Sequence, residues 1–291
     1  MTDAKSGRAR PDSASGPAAG EGAAGPAGPA GAGPSEEDLA AAGLRLEVDG
    51  AVATLTLDRP ERRNALTFAT WRTMAAVGAS LPPSVRVVVV RGEGPSFSAG
   101  IDLSQFTGEG GEGFPDGSDA AETEAFIAGL QDGYTWLRRP DLVTVAAVHG
   151  HAIGGGFQLA LSCDIRIVAD DVKFCMKEPA LGLVPDLTGT KPLVEIVGVP
   201  RALELCLTAR TVLADEAARL GLAERVVPRE DLDGAVQELV QALLAVNAEA
   251  AVATKRLLWQ APENTLEQQA AAERREQVAR LRALSALRPT P

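Results

Sequence analysis

Two glycine-bearing turns, each closing an apolar run, constrain this chain more than any other feature. The first is Phe97-Ser98-Ala99-Gly100-Ile101-Asp102, which follows the valine-rich stretch Val85 to Val90. The second is His149-Gly150-His151-Ala152-Ile153-Gly154-Gly155-Gly156-Phe157-Gln158, which follows Val143 to Val148 and runs into Leu159-Ala160-Leu161-Ser162-Cys163-Asp164. An apolar run, a glycine turn and a helical pattern in that order read as strand, turn and helix. Such turns leave backbone N–H groups bare, and a helix N-terminus adds partial positive charge. Two of them aimed at one point form an oxyanion hole, which stabilises negative charge developing on a carbonyl oxygen.

The surrounding pattern is α/β. Leu44, Leu46 and Val48 alternate, Gly50 turns, and Val52, Leu55 and Leu57 continue, which predicts a β-hairpin. A helix is expected from Thr67, its N-cap, to Ser80, then a buried strand over Val85–Val90. Residues 107–119 are glycine-rich and acidic and read as a surface loop, followed by a helix over 120–137 and a strand over 142–148. A helix over 155–163 and short strands over 165–168 and 172–175 come next, and helices dominate after Val199. Residues 1–40 are Ala, Gly and Pro with few large apolar side chains, so a disordered extension is expected there.

Composition narrows the function classes. The chain has 291 residues, is 45% hydrophobic and carries a formal charge of -11, which argues against nucleic acid or an anionic membrane as the main partner. Cys163, Cys175 and Cys206 are scattered through apolar runs without clustered histidines, so neither a disulfide framework nor a metal site is expected. With no apolar leader or membrane-length apolar run, the expected location is cytoplasmic.

The paired turns resemble those of the crotonase, or enoyl-CoA hydratase/isomerase, family. The resemblance runs from about Leu44 to Leu258 and takes in Asp58-Arg59-Pro60-Glu61-Arg62-Arg63-Asn64-Ala65-Leu66, Phe174-Cys175-Met176-Lys177-Glu178, Leu181-Gly182-Leu183-Val184-Pro185 and Leu220-Gly221-Leu222. It implies an α/β fold, a crotonase-like spiral of ββα units with a C-terminal helical region. Residues 41–230 would be the acyl-CoA-binding core, and residues 231–291 helices packing on that core and on neighbouring subunits of a homotrimer or homohexamer. No separate cofactor is implied, since coenzyme A arrives as part of an acyl-CoA thioester.

Carried over position by position, the resemblance puts the oxyanion N–H donors on Ile101 and Gly155 and the coenzyme near Arg59, Asn64, Ala65, Leu66 and Ala99. Asp102 reads as the cap of the helix after the first turn, and His149 and His151 as structural. The hydratases of the family carry two glutamates, at the positions of Gln158 and Glu178. Here the first is an amide, which cannot exchange a proton near neutral pH but could orient a water or the thioester. Glu178 keeps the second, on what Pro179 predicts to be an extended turn. Asp186 stands where the family's dienoyl-CoA isomerases carry an aspartate, and reads either as a second site carboxylate, the pair raising each other's pKa, or as the N-cap of the next helix. Phe106, Phe114, Phe126, Tyr134 and Trp136 are candidates for the acyl pocket or the core. The expectation is an acyl-CoA enzyme that stabilises a thioester enolate, with Glu178 as its base, and isomerises a double bond. Weak hydration and non-catalytic acyl-CoA binding are the alternatives.

Overall fold

A computed structural model describes residues 33–108 and 113–286. The expectation of disorder over residues 1–40 falls mostly outside the described residues, but its last part is corrected. Helix α1 (Glu36–Ala41) is held by a reciprocal capping box between Ser35 and Asp38, and it buries Leu39. That one leucine and its cap lie in a stretch whose composition hides them.

The hairpin forms as expected from β1 (Leu44–Asp49) and β2 (Val52–Leu57), turning through Gly50 at φ +56°. Helix α2 (Phe68–Ser80) starts from the Thr67 cap. Strand β3 spans Val87–Gly92, two residues later than the valine run suggests, because Val85 is still in a turn with its N–H on the Pro82 carbonyl. Helices α3 (Ser104–Thr107) and α4 (Ala120–Thr135) follow, and then β4 (Val143–Val148), β5 (His151–Ile153), α5 (Gly155–Ser162), β6 (Ile165–Ala169) and β7 (Lys173–Cys175). The chain continues through α6 (Thr190–Val197), α7 (Val199–Thr208), β8 (Val212–Leu213), α8 (Ala214–Leu220) and β9 (Arg225–Val227), and ends in α9 (Leu232–Ala245), α10 (Ala248–Gln260) and α11 (Leu266–Ala286). Among the described residues no helix is long and apolar enough to cross a membrane.

From β4 to β7 successive strands alternate between two sheets, which is the turn of the spiral. The larger has the order β1-β2-β3-β4-β6-β9, parallel except for the hairpin; the smaller has the order β5-β7-β8. Thus β4 then β5, and β6 then β7, each give one strand to each sheet. The large sheet is covered on both faces, which explains the unbroken valine run. Val88, Val90, Ala146, Val148 and Val168 face the main core, whereas Val87, Val89, Val145, Ala147 and Ile167 face α9. Helices α2 and α4 cross so closely that a Cβ on Gly133 would lie 2.7 Å from the Trp71 carbonyl oxygen.

The C-terminal helices are tied to the sheet by one carboxylate. Asp164 accepts from Thr144 N at 2.8 Å, Thr144 Oγ1 at 3.0 Å, Lys255 Nζ at 2.7 Å and Trp259 Nε1 at 3.1 Å. Lys255 also donates to the Leu142 carbonyl at 2.7 Å. Both ion-pair partners are nearly enclosed, with side chains 8% and 12% exposed. Removing one partner of such a pair strands the other, at a cost of about 3–5 kcal/mol. Asp164→Ala is therefore expected to lower the urea midpoint markedly, and Asp164→Asn by less, since it keeps three of the acceptor contacts. An unchanged midpoint for Asp164→Ala would show that α10 is held by its apolar contacts alone.

Candidate active site

The first turn is set by a single parallel bridge between Leu66 and Ile101. Leu66 N donates to the Gly100 carbonyl and Asp102 N to the Leu66 carbonyl, both at 2.8 Å. That pairing uses the groups flanking Ile101, so the Ile101 N–H itself faces the other way. Gly100 has φ +86°, and a Cβ on it would lie 2.6 Å from the Ile153 carbonyl oxygen, so only glycine lets the two turns meet. The second turn passes through Gly154 at φ +52°, whose N–H is held by the Cys175 carbonyl at 2.8 Å, into the first residue of α5, Gly155. Gln158 N donates to the Gly154 carbonyl at 2.9 Å, which holds the peptide that carries the Gly155 N–H, and Tyr134 holds the next peptide by donating its hydroxyl to the Gly155 carbonyl at 2.8 Å. Among the described residues neither Ile101 N nor Gly155 N has a hydrogen-bond partner.

Ile101 and Gly155 line a cavity of about 230 Å³ together with Glu178, Asp186, Trp71 and Phe114. Leu183 and Val184 form its exposed rim. Glu178 is 8% exposed and opens a 3₁₀ turn, Glu178–Leu181, rather than the extended segment its proline neighbour suggested. Proline is accepted in the first helical turn, where no N–H is needed. One carboxylate oxygen, Oε1, accepts from Gln158 Nε2 at 2.6 Å; the other, Oε2, is buried with no partner among the described residues. Burial pushes the Glu178 carboxyl above its ordinary range, its own N–H and the Gln158 amide oppose that, and the Asp186 charge adds to it.

Asp186 does not cap the following helix. Helix α6 starts at Thr190 with Gly189 at its cap and no side-chain cap bond. Asp186 is instead one of the residues that line the cavity, and burial raises its pKa. Desolvation thus leads for both carboxyls, and of the expected mutual elevation only the effect of Asp186 on Glu178 is present. The Asp186 carbonyl is tethered by Gln131 Nε2 at 2.6 Å.

Gln158 is fully buried on α5 and is not among the residues that line the cavity. Its Oε1 accepts from Leu187 N at 2.9 Å and Gly189 N at 3.2 Å. Two donors on one atom assign that atom as the oxygen, which leaves the NH2 group facing Glu178.

The five residues expected near the coenzyme build the loop beneath the first turn, and none of them lines the cavity. Asn64 is buried; its Oδ1 accepts from Arg59 N at 2.8 Å and its Nδ2 donates to the carbonyls of Glu93 and Ser96 at 2.9 and 2.8 Å. Arg59 donates to the Ala65 carbonyl at 2.7 Å and pairs with Asp102 at 3.0 Å. Asp102 also accepts from Ser104 N at 3.2 Å, but Leu103 stands at the cap of α3 with no side-chain cap bond, so the expected capping role is replaced by a turn contact one residue earlier. Leu66 is a core residue, and Ala99 N donates to the Arg63 carbonyl at 2.8 Å. His149 bonds the Gly94 carbonyl and His151 the Ser96 hydroxyl, at 2.9 and 3.2 Å.

Of the aromatic candidates, Phe114 alone reaches the cavity wall, with Phe106, Phe68 and Phe126 packed against it. Trp71 escaped the sequence reading. Its helical register with Phe68 and Met74 marks a buried face, but only the crossing of α2 over α4 turns that face toward the glycine turns.

Residues 47–284 match the family model described as enoyl-CoA hydratase/isomerase. The chain is 32% identical over 232 residues to a probable enoyl-CoA hydratase of Mycobacterium tuberculosis, covering 79% of this chain and 86% of that one. It is 32% identical over 231 residues to the peroxisomal Δ3,5-Δ2,4-dienoyl-CoA isomerase of Arabidopsis thaliana, covering 77% and 83%. A structure from Thermobifida fusca YX in complex with CoA is 60% identical, with a TM-score of 0.84 over 87% of this chain and 98% of that one.

Two outcomes follow from this geometry. Gly155→Pro deletes one cavity-facing N–H while proline is tolerated at the first helical position, and a Cβ there meets nothing nearer than 3.3 Å. The variant is expected to fold and to lose on the order of 10²–10³ in turnover; wild-type turnover in the folded variant would sink the donor assignment. Glu178→Gln is expected to raise the melting temperature at pH 7.5. A carboxyl whose folded pKa is raised favours folding when protonated, and that advantage is lost as pH rises through the folded value. The gap between variant and wild type should therefore close near pH 4, and an equal gap at both pH values would count against a desolvated carboxyl.

Proposed function

The chain belongs to the enoyl-CoA hydratase/isomerase family, and from that footing we propose that it moves a carbon–carbon double bond along an acyl-CoA thioester. The observation that carries this reading is the buried Gln158 amide, its oxygen taken by two backbone N–H groups and its nitrogen bonded to Glu178, beside a single cavity-facing glutamate. Hydration needs a second group to hold and deprotonate water, and losing one acid–base group forfeits roughly 10²–10⁴ in rate. Double-bond migration needs one base that takes a proton and returns it elsewhere.

In the proposed mechanism the thioester oxygen sits between Ile101 N and Gly155 N. Glu178 Oε2 removes a proton from C2 of a 3-enoyl thioester; the C–H electron pair delocalises over C2 to C4 and onto the oxygen, where the two N–H groups stabilise it. The same carboxyl then gives the proton to C4, leaving the 2-enoyl product with no water consumed. Asp186 on the same cavity favours a second reading, in which a 3,5-dienoyl thioester is the substrate and the proton is returned further along the chain. With Arg59 occupied by Asp102 and Ala65, the exposed Arg62 and Arg63 are the cations which that loop offers to the coenzyme phosphates. Assembly as a homotrimer or homohexamer belongs to the same proposal, supported by exposed Leu203, Leu207 and Leu213, and sedimentation would measure it.

The test is to incubate the purified protein with 3-enoyl-, 3,5-dienoyl- and 2-enoyl-CoA and to follow mass and ultraviolet absorbance. The expected result is migration of the double bond without change in mass, rising with pH through an acid limb above the ordinary glutamate value of 4.5, and lost by roughly 10²–10⁴ in Glu178→Gln. Rapid gain of water by 2-enoyl-CoA would overturn the isomerase reading in favour of hydration. Tight acyl-CoA binding with no turnover would favour a binding protein.

A further inference from the structure

Gln158 joins two features that the proposed reaction treats separately. Its amide nitrogen holds Glu178 Oε1 at 2.6 Å, and its amide oxygen gathers Leu187 N and Gly189 N at 2.9 and 3.2 Å. Those two N–H groups flank Thr188, a β-branched residue at φ +65°, a conformation that costs on the order of 1–3 kcal/mol unless its surroundings enforce it. Two N–H groups converging from such a turn form a concavity that favours a full or partial negative charge. The amide oxygen supplies that partial charge, and the turn it holds is the one that carries Asp186. One buried side chain therefore fixes Glu178 directly and Asp186 through the backbone beside it.

The consequence falls on Glu178. Its Oε1 already accepts the Gln158 N–H, so a proton arriving there competes with that donor for the oxygen, whereas Oε2 has no partner among the described residues. We infer that Gln158 is a positioning residue that makes Glu178 a one-oxygen base, with Oε2 alone carrying the transferred proton. This rests on the reading of Glu178 as the base, but not on which double bond moves.

The ionisable groups that face Glu178 are Asp186 on the loop before α6, Tyr134 on α4, Cys175 on β7 and Cys206 on α7. Burial raises the phenol and both thiols, so they stay neutral, and Asp186 is the group whose charge titrates alongside. A carboxylate placed at residue 158 would add a second charge 2.6 Å from Oε1. The Leu187 and Gly189 N–H groups would stabilise that new charge, so the shared proton would reside on Glu178.

The experiment measures deuterium exchange at C2 of butyryl-CoA in D2O across pH. Exchange requires only that the C2–H bond break, Glu178 take the proton, and a solvent-exchanged deuteron return to C2. Gln158→Glu is expected to move the acid limb of exchange upward by a pH unit or more, a tenfold or greater loss at a fixed pH on that limb. The paired swap Gln158→Glu with Glu178→Gln keeps every hydrogen bond of the pair in reversed direction. It is expected to melt within a few degrees of wild type and to lose exchange by 10²-fold or more, because the carboxylate then has no face on the cavity.

An acid limb unmoved in Gln158→Glu overturns the inference, as does exchange retained by the swap. A swap that fails to fold also counts against it, since the same donors and acceptors are present. Exchange by the wild type without double-bond migration would overturn the proposed reaction while leaving the role of Gln158 measurable. Absence of exchange in the wild type would remove the base, and this role with it.

Discussion

Everything at this site depends on how closely two backbone turns approach. Gly100 lies where any Cβ would press into the Ile153 carbonyl oxygen, and a Cβ on Gly154 would come within 3.1 Å of Glu178 Oε1. Bare backbone at both places brings Ile101, Gly155 and Glu178 around one small cavity. The rest of the core holds that approach in place: the Leu66–Ile101 and Ser98–Ala152 bridges align the two strands' continuations, and Gln158 N and Tyr134 hold the carbonyls of Gly154 and Gly155. A rearrangement of a few tenths of an ångström here would be felt in the chemistry, since well-placed donors act only over hydrogen-bond distances.

The loop under the first turn shows how a polar segment can be structural. Arg59, Asn64 and Asp102 form a closed set of contacts in which each satisfies another's backbone or side chain. Asn64 also holds an uncommon positive φ of +54°. A buried amide can satisfy three main-chain groups at once, and leaving any of them unmet would cost about 1–3 kcal/mol. The loop's polar residues thus serve the geometry of Ile101 before they serve any ligand.

The sequence made the α/β pattern and the two turns legible because both depend on local signals: valine runs, glycine at obligatory positions and a capping threonine; the spiral came only with the family resemblance. The cavity-facing placement of Glu178 was legible through a family motif. What stayed hidden was direction. Nothing local distinguishes a glutamine that faces a cavity from one that faces a neighbouring carboxylate, and Gln158 does the latter because Leu187 and Gly189, far along the chain, offer it two N–H groups. Asp186 was undecidable for the same reason, since its capping alternative failed only when α6 started four residues later. Helix α1 was missed because a single buried leucine carries it.

The Asp164–Lys255 pair also bears on how the protein is made. Its partners are 91 residues apart. At a synthesis rate of about 5–20 residues per second, Asp164 emerges on the order of 5–20 s before its lysine exists. During that interval the carboxylate must stay hydrated, with only Thr144 among its partners already in place. Val143, Ile165 and Leu243, which share a cavity of about 440 Å³ with Lys255 and Trp259 in the finished chain, lack that wall until α10 arrives. A segment made late thus supplies the counter-charge to a carboxylate placed early.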